Sequence, residues 1–346
     1  MDKVPFYIKI SLFFVGLYAF VSILYAVQDI LIPLVYATIL AIVLSPVVNF
    51  LIRKKFGRIL AIALPLVVSF LFIVSFIYLL GSQASLLRAS FPAMATKFQQ
   101  LLNQFIVWIP DHIPVSNEKI RDWISSSKNE LIGNSRYMIG QTLLYTGNFL
   151  VVSVLIPVYI FMILYYKKQL LDFVHKSFST ARNKEVDEVI MAIKRIVKNY
   201  LVGLMLETGI IALLYFISLL LLGIDYAFLL AVISSLINII PYVGGLVGVL
   251  FPVAIAITTR SLTYTLLVVA VYILVQQVDN HYIRPRIVGS KVKINALVSV
   301  IAVIAGEALW GMPGMLLSIP LVAIAKVIFD HIRPLKPLGE VLGDST

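Results

Sequence analysis

The chain has 346 residues, of which 60% are hydrophobic and 13% are charged, and its mean hydropathy is +0.99. Soluble domains carry about 25% charged residues, so this composition indicates an integral membrane protein and excludes a soluble one. The net charge of +11 does not indicate nucleic-acid binding, because lysine and arginine are concentrated in short segments beside apolar runs. In such positions they set membrane orientation and contact anionic headgroups. The absence of cysteine excludes disulfides and thiolate chemistry.

Six apolar runs have the length of about 20 residues that a transmembrane helix needs. They predict spans at 8–28, 30–52, 59–80, 148–166, 201–222 and 262–278. The first run is too long for the apolar core of a signal peptide, so we expect it to be retained. Between the second and third spans, Arg53, Lys54, Lys55 and Arg58 form a basic loop. The positive-inside rule places this loop, and therefore the N-terminus, in the cytoplasm.

Two polar segments separate the early spans from the later ones. Residues 81–147 combine charges of both signs with apolar residues at helical spacing, which predicts an amphipathic helical subdomain on the outer face. Residues 167–198 are rich in lysine and arginine, which places them in the cytoplasm. Within them, an apolar stripe from Val186 to Val197 predicts a helix lying on the membrane surface. A solvated connector packed on neighbouring helices fits the same stripe.

The stretch 226–259 is apolar but interrupted. Asn238, Pro241, Gly244 and Gly245 lie at its centre. They leave two arms of about 12 to 14 residues, each too short to cross the hydrocarbon core. We therefore predict a re-entrant hairpin that enters and leaves on the outer face. Unwound backbone is tolerated at membrane depth only beside protein or a water-filled cavity, so the hairpin is expected to line a polar pathway.

The interrupted stretch has a second copy. The G-x-x-G motif that begins at Gly245 recurs at Gly311, and Pro313 and Gly314 break the second apolar stretch, 295–329. Each copy follows a full span, and one span plus one returning hairpin is an odd number of passages. The two copies are therefore predicted to be inverted, as in alternating-access carriers, with the second hairpin opening to the cytoplasm. A single G-x-x-G pair can also serve close helix contact, but two pairs in matched hairpins favour helix breaks.

Three motifs carry a family resemblance. They are Asn238-Ile-Ile-Pro-Tyr-Val-Gly-Gly, the run 276–289, and Gly311-Met-Pro-Gly-Met-Leu-Leu-Ser-Ile-Pro. Together with the span layout they resemble the bacterial autoinducer-2 exporter family of membrane transporters. The resemblance implies a multispanning inner-membrane protein that exports the quorum-sensing furanone or exchanges sodium for protons. It also implies a homo-oligomer, a pentamer, in which part of each protomer moves. Asp279 and Trp310 depart from residues common in the family, so a relative's substrate does not transfer directly to this chain.

Two acidic residues in apolar surroundings are candidates for ion coupling, because an ionisable group in the bilayer is costly and seldom kept without a role. Glu307 lies in the second hairpin and could bind a cation or a proton, or serve as the structural partner of an arginine. Glu207 lies in the fifth span and could relay protons, or reach the cytoplasmic interface nearby.

The first hairpin and the end of the sixth span hold the candidate substrate contacts. Asn238 could bind substrate or satisfy backbone groups freed by the helix break. Gln276 and Asn280 share one helix face, and Gln277 and His281 share another. This polar end could equally be an interfacial cap anchored by arginine. The candidate substrate-binding or ion-coupling residues are Glu207, Asn238, Pro241, Gly244, Gly245, Gln277, Asp279, Asn280, Glu307, Gly311, Pro313 and Gly314.

The sequence thus predicts an all-α integral membrane protein with about six full transmembrane helices and two inverted re-entrant helical hairpins. The expected divisions are 1–80, 81–147, 148–200, the transport core 201–330 and a cytoplasmic tail 331–346. Both termini are expected in the cytoplasm.

The predicted function is that of a secondary transporter moving a small polar metabolite or an ion across the bacterial inner membrane. The alternatives are a sodium–proton antiporter and a passive channel or scaffold. No metalloprotease, nucleophile-elbow or P-loop motif occurs, so neither an enzyme nor an ATP-driven pump is expected. We expect no metal and no cofactor; the expected partners are the substrate, the lipid bilayer and further copies of the chain.

Overall fold

A computed structural model describes residues 5–112, 153–178, 183–240, 244–289 and 294–343. Apart from turns and one antiparallel bridge between Ile294 and Gly343, these residues are helical. The helices are α1 (Phe6–Ala26), α2 (Gln28–Arg53), α3 (Arg58–His112), α4 (Ser153–Tyr165), α5 (Lys167–Ser177), α6 (Asn183–Leu221), α7 (Ala227–Ile237), α8 (Gly244–Gly248), α9 (Leu250–Thr259), α10 (Leu262–Val278), α11 (Ala296–His331) and α12 (Lys336–Leu342).

Six helices in the described part are long and apolar enough to cross a membrane: α1, α2, α3, α6, α10 with the turns after it, and α11. Apolar segments form helices in lipid because only internal hydrogen bonds satisfy the backbone there. The pair α4 and α5 adds a seventh candidate if its two helices, bent by 65° at Tyr166, form one span. The all-α membrane fold predicted from composition is therefore confirmed.

Two helices are longer than the predicted spans. The apolar stripe from Val186 to Val197 and the fifth span lie in one continuous helix, α6, because neither proline nor glycine interrupts the chain between them. The stripe therefore continues the axis of a span instead of lying as a separate surface helix. In the same way α3 extends from the third span to His112, into the predicted outer subdomain. The remainder of that subdomain, 113–147, lies outside the described residues.

The first interrupted stretch folds into a hairpin. α7 and the pair α8 and α9 pack against each other, and Ser234 Oγ donates a hydrogen bond of 2.7 Å across the arms to the carbonyl oxygen of Gly248. A side chain at Gly248 would lie 3.1 Å from the carbonyl oxygen of Ser234. The arms therefore approach closely because glycine occupies this position. Pro241, a predicted helix breaker of this hairpin, lies outside the described residues.

The second interrupted stretch, α11, also folds back on itself. Its backbone leaves the helical conformation at Gly311, where φ is +63° and ψ is −145°, a conformation that glycine adopts without a steric penalty. Gly306 and Gly314, which a straight helix would hold about 12 Å apart, are in direct backbone contact. Both stretches therefore reverse direction next to a G-x-x-G motif.

Helix α6 is the element that connects the two hairpins. It packs against α2, α7, α10 and α11. One buried cluster joins α6 to the first hairpin and α10, and includes Ile211, Tyr215 and Val268. Another joins α6 to α2 and the second hairpin, and includes Val197, Ile39 and Trp310. The two hairpins thus contact different parts of the same helix.

Candidate functional site

A buried ion-pair cluster lies where α6, the first hairpin and the end of α10 meet. Arg284 Nε donates to Glu207 Oε1 at 2.8 Å, and Arg284 Nη2 lies 3.5 Å from Asp279 Oδ2. Asn238 Nδ2 donates to the same Asp279 oxygen at 3.0 Å. The side chains of Glu207 and Asp279 are 3% and 0% exposed. Because burial removes water from charged groups, this cluster must be balanced by the protein or by a bound cation.

The first helix break is part of the cluster. Asn238 ends α7, where the chain leaves the helix, and its carbonyl oxygen accepts a hydrogen bond of 3.3 Å from Arg284 Nη2. A carbonyl at the end of a helix has no partner within the helix, and the C-terminus of a helix carries a partial negative charge. Arg284 therefore joins the two carboxylates to the broken helix end.

The end of α10 is wound more widely than an α-helix. Residues Asp279–Ile283 and Pro285–Gly289 form π-helical turns. Pro285 has no N–H to donate, and its ring clashes with the carbonyl four residues earlier, which accounts for the wider turn. π-helical turns within or at the end of an α-helix are frequent at functional sites. Here the π-helical segment points both Asp279 and Arg284 at α6 and the first hairpin.

A second set of polar contacts extends the cluster along α10. Gln276 Nε2 donates to Asn280 Oδ1 at 3.3 Å, and the Tyr215 hydroxyl lies 3.5 Å from Gln276 Oε1. The Tyr215 and Tyr272 rings stack with their centroids 4.0 Å apart. The Tyr272 hydroxyl donates to Ser234 Oγ at 3.0 Å, which connects this set to the arms of the first hairpin.

A cavity of about 650 Å³ opens beside these groups. Its polar lining includes Glu207, Asn238, Gln276, Asn280 and Arg284. The apolar lining comes mainly from α6, α8 and α10 with the π-helical turns after it, and the arms of the second hairpin contribute a smaller part. A cavity of this size, with a few convergent polar groups in an apolar wall, is typical of small-molecule sites.

Two buried carboxylate oxygens have no hydrogen-bonding partner in the described structure. They are Glu207 Oε2 and Asp279 Oδ1. Buried carboxylate oxygens are normally satisfied, so such exceptions indicate a bound proton, ion or water. Both atoms belong to the cluster that borders the cavity. Two hydrogen-bond acceptors without partners in the described structure therefore lie next to the cavity.

Several of the predicted site residues meet at this cluster. Glu207, Asn238 and Asp279 form it, and Asn280 and Gly245 line the adjoining cavity. Gly244 packs against the end of α7. Gln277 is exposed and does not line the cavity; its carbonyl oxygen accepts a hydrogen bond of 3.0 Å from His281 Nδ1.

The residues predicted at the second helix break lie elsewhere. Trp310 Nε1 donates to the carbonyl oxygen of Leu24 at 3.2 Å, and the Tyr36 hydroxyl donates to that of Pro313 at 3.1 Å. The second break, with Gly311 and Gly314, therefore packs against α1 and α2 and away from the cavity. Glu307 is exposed on the first arm of this hairpin. The structure thus does not bring the two breaks into a single site.

From the sequence, Arg284 is one of the arginines that would anchor an interfacial cap at the end of the sixth span. A signal for its role was present, because Gln276, Asn280 and Arg284 recur every four residues and share one helix face. Tyr215, Tyr272 and Ser234 were missed, because an aromatic residue or a serine inside an apolar span has no distinctive spacing.

The adjacent glycines of the first hairpin lead to a prediction. A methyl group at Gly245 would overlap the amide end of the flexible Gln276 side chain, whereas one at Gly244 would overlap the backbone of Ile237 and Asn238. We expect Gly245→Ala to cost less than about 1 kcal/mol, because Gln276 can move, and Gly244→Ala to cost about 3 kcal/mol. Thermal unfolding of the two variants in detergent would test this; equal losses of stability would contradict it.

Long apolar helices, a broken helical hairpin and a buried charged cluster beside a cavity define a polytopic membrane transport protein. The chain matches the AI-2E family transporter over residues 10–334, and it belongs to that family.

Three relatives illustrate the range of similarity. YueF of Bacillus subtilis (strain 168), named as a transport protein, is 25% identical over 233 residues, 66% of this chain and 62% of the relative. YrrI of the same organism, also named as a transport protein, is 33% identical over 133 residues, 38% and 37% of the two chains. The AI-2 transport protein TqsA of Escherichia coli (strain K12) is 29% identical over 123 residues, 36% of each. The matches thus span from about a third to less than two thirds of these relatives' lengths.

Proposed function

We propose that this protein is a secondary transporter of the bacterial inner membrane that moves a small polar solute by alternating access. We further propose that a proton or sodium ion held by Glu207 and Asp279 is coupled to that movement. The solute class is an autoinducer-2-like metabolite, following the name of the relative TqsA. The observation that carries the proposal is the charge of the buried cluster: two carboxylates share one guanidinium.

The charge count supports a coupling cation. Glu207 and Asp279 together carry two negative charges when ionised, and Arg284 carries one positive charge. An uncompensated buried charge costs several kcal/mol, so the remaining charge is removed by a proton or balanced by a cation. The two carboxylate oxygens that lack partners, Glu207 Oε2 and Asp279 Oδ1, offer the place for either.

The cavity supports a solute larger than an ion. Its volume of about 650 Å³ is in the range of small-molecule pockets. The amides of Asn238, Gln276 and Asn280 offer both hydrogen-bond donors and acceptors to a polar guest. Asn238 contacts Asp279 and also borders the cavity, so occupancy of the cation site and of the solute site would affect the same side chain.

The arrangement of the hairpins supports a moving part. The first hairpin packs against α6 on one side of the cluster, and the second packs against α6, α1 and α2. A change in the protonation or cation occupancy of Asp279 would alter its hydrogen bond with Asn238. Because Asn238 lies at the first helix break, the packing of that break against the end of α10 would change as well. A broken helix at the site is the element that alternating-access carriers use for this purpose.

The experiment is a flux measurement in proteoliposomes. We expect Glu207→Gln and Asp279→Asn each to lower gradient-driven flux at least tenfold, because each removes a titratable acceptor from the cluster. Internal pH, internal sodium and furanone uptake are recorded together under an imposed sodium or proton gradient. Glu307→Gln is the matched control, since it is the same change at an exposed position in another apolar helix, and we expect flux within about twofold of the unchanged protein.

The alternatives are separable in this assay. Retained flux in Glu207→Gln and Asp279→Asn, with loss in Glu307→Gln, would contradict the proposed site and move it to the second hairpin. Exchange of sodium for protons that needs no solute would identify an antiporter, which the excess of carboxylates also suits. Flux that does not saturate and follows no coupled gradient would identify a passive channel.

A further inference from the structure

A second cavity, of about 850 Å³, lies apart from the candidate transport site. It is enclosed by the C-terminal half of α2, the bend between α4 and α5, and the N-terminal half of α6. Five basic residues line it: Arg53, Lys167, Lys194, Arg195 and Lys198. No acidic residue lines it within the described ranges, so the cavity carries a concentrated positive charge.

The basic side chains are not neutralised by the part of the protein that the structure describes. Lys167 Nζ donates a hydrogen bond of 3.1 Å to Ser45 Oγ, and its charge is repelled by that of Lys194. Both lysines are half-buried. Within the described ranges no carboxylate forms an ion pair with any of the five basic residues. Like charges held together in this way favour binding of an anion from outside the chain.

The other wall of the cavity is apolar. Ile163 and Leu164 of α4, Leu170 and Leu171 of α5, and Ile190 of α6 contribute to it. A small soluble anion would gain nothing from such a wall, whereas an acyl chain would bury apolar surface against it. The combination of clustered lysines with an apolar wall therefore fits a ligand with an anionic head and a hydrocarbon tail.

The position of the cavity agrees with this chemistry. It lies at the same end of α2 as the basic loop 53–58, which the positive-inside rule places at the cytoplasmic surface. Anionic phospholipid headgroups occur at that level, and basic pockets between transmembrane helices on that side bind them.

We infer that this cavity binds an anionic phospholipid, with its phosphate between Lys167 and Lys194 and an acyl chain along the apolar wall. The lipid would also reach the second hairpin indirectly. Ile42 and Ile193 line the cavity and pack in the same cluster as Trp310, next to the break at Gly311. Binding there would stabilise the contacts that hold the second helix break in place.

The test compares lipids that remain bound to the full chain. The protein is reconstituted in vesicles of equal phosphatidylglycerol and phosphatidylcholine, extracted in mild detergent, and the copurified phospholipids are quantified. We expect the bound ratio of phosphatidylglycerol to phosphatidylcholine to fall about tenfold in Lys167→Gln/Lys194→Gln, because two headgroup cations are lost. Lys167→Arg/Lys194→Arg, which keeps both charges, is expected to retain the preference.

The matched control removes the same charge outside the cavity. Lys176→Gln/Lys184→Gln changes two exposed lysines of α5 and α6 that do not line it, so its lipid ratio should equal that of the unchanged protein. An equal loss in both double variants would mean general surface attraction and would overturn the inference. No loss in either variant would overturn it as well.

Two further measurements separate loss of the cavity from misfolding, and a lipid ligand from a soluble anion. Arg53→Gln/Lys198→Gln changes two exposed lining residues, so it reports on the cavity even if Lys167→Gln/Lys194→Gln fails to fold; a retained lipid ratio in it would count against the inference. Inorganic phosphate is titrated into protein held in phosphatidylcholine alone. If phosphate binds at Lys167 and Lys194 while the unchanged protein shows no preference for phosphatidylglycerol, the site serves a soluble anion and the lipid assignment is overturned.

Discussion

Replacement of Arg284 by glutamine is expected to destabilise the protein by about 3–5 kcal/mol, the usual cost of removing one partner from a buried ion pair. Among the residues that the structure describes, Glu207, 3% exposed, has no ionic partner besides Arg284, and Asp279 would keep only its hydrogen bond from Asn238. The carbonyl oxygen of Asn238 at the helix break would lose its donor as well. Thermal unfolding followed by size-exclusion chromatography in detergent would measure the loss.

The matched control is Arg333→Gln, the same change at an exposed residue beyond α11, which we expect to alter stability by less than about 0.5 kcal/mol. A double variant, Glu207→Gln/Arg284→Gln, should recover part of the lost stability, because the two amides can hydrogen-bond to each other and only the Asp279 carboxylate is left without its cation. If Arg284→Gln alone were as stable as the unchanged protein, the ion pair at the centre of the proposed site would be refuted.

Replacement of Gly314 by alanine is expected to open the second hairpin. The added methyl group would overlap the carbonyl oxygen of Gly306, and backbone, unlike a flexible side chain, cannot turn away. The arms would have to separate and Trp310, whose Cβ would lie 3.0 Å from the added methyl group, would shift with them, at a cost of about 3 kcal/mol. Loss of the contacts to α1 and α2 should appear as faster proteolysis of the folded protein in detergent, together with a lower unfolding temperature.

Gly209→Ala provides the matched control for Gly314→Ala. It is the same change inside another long apolar helix, at a position where no atom of another element lies within 4 Å. Because alanine is the better helix former, we expect this variant to be at least as stable as the unchanged protein. Equal destabilisation of both variants would show that helix composition, not the contact between the two arms, accounts for the effect.

The sequence located part of the candidate site because its signals are local. Glu207 is an ionisable residue in apolar surroundings, Asp279 lies in the polar end of the sixth span, and Asn238 precedes a run of helix breakers, so each is visible without a fold. The hairpin shape of both interrupted stretches followed from the length of their arms. The sequence does not show which of these residues contact each other in the folded protein. Glu307 and Glu207 look alike in the sequence, yet one is exposed and the other is paired with Arg284.

The same limit applies to Arg284. In the sequence it is one of several positive charges after a span, and the charge rule accounts for all of them equally well. Only the π-helical turns after α10 and the packing of α10 on α6 direct its side chain to Glu207, 77 positions away in the chain. The basic cavity between α2, α5 and α6 was hidden for the same reason, since its lysines and arginines come from separate segments.

Composition and the spacing of apolar runs were thus sufficient to determine that the chain is an α-helical membrane protein, because lipid permits few other ways to satisfy the backbone. Helix breakers were sufficient to mark the two reversals, since proline and glycine act on the residues next to them. Tertiary packing decided the rest: the pairing of Glu207 with Arg284, the contacts of the second break with α1 and α2, and the formation of both cavities. Contacts between distant segments depend on how the helices are arranged around α6, and no local pattern in the sequence records that arrangement.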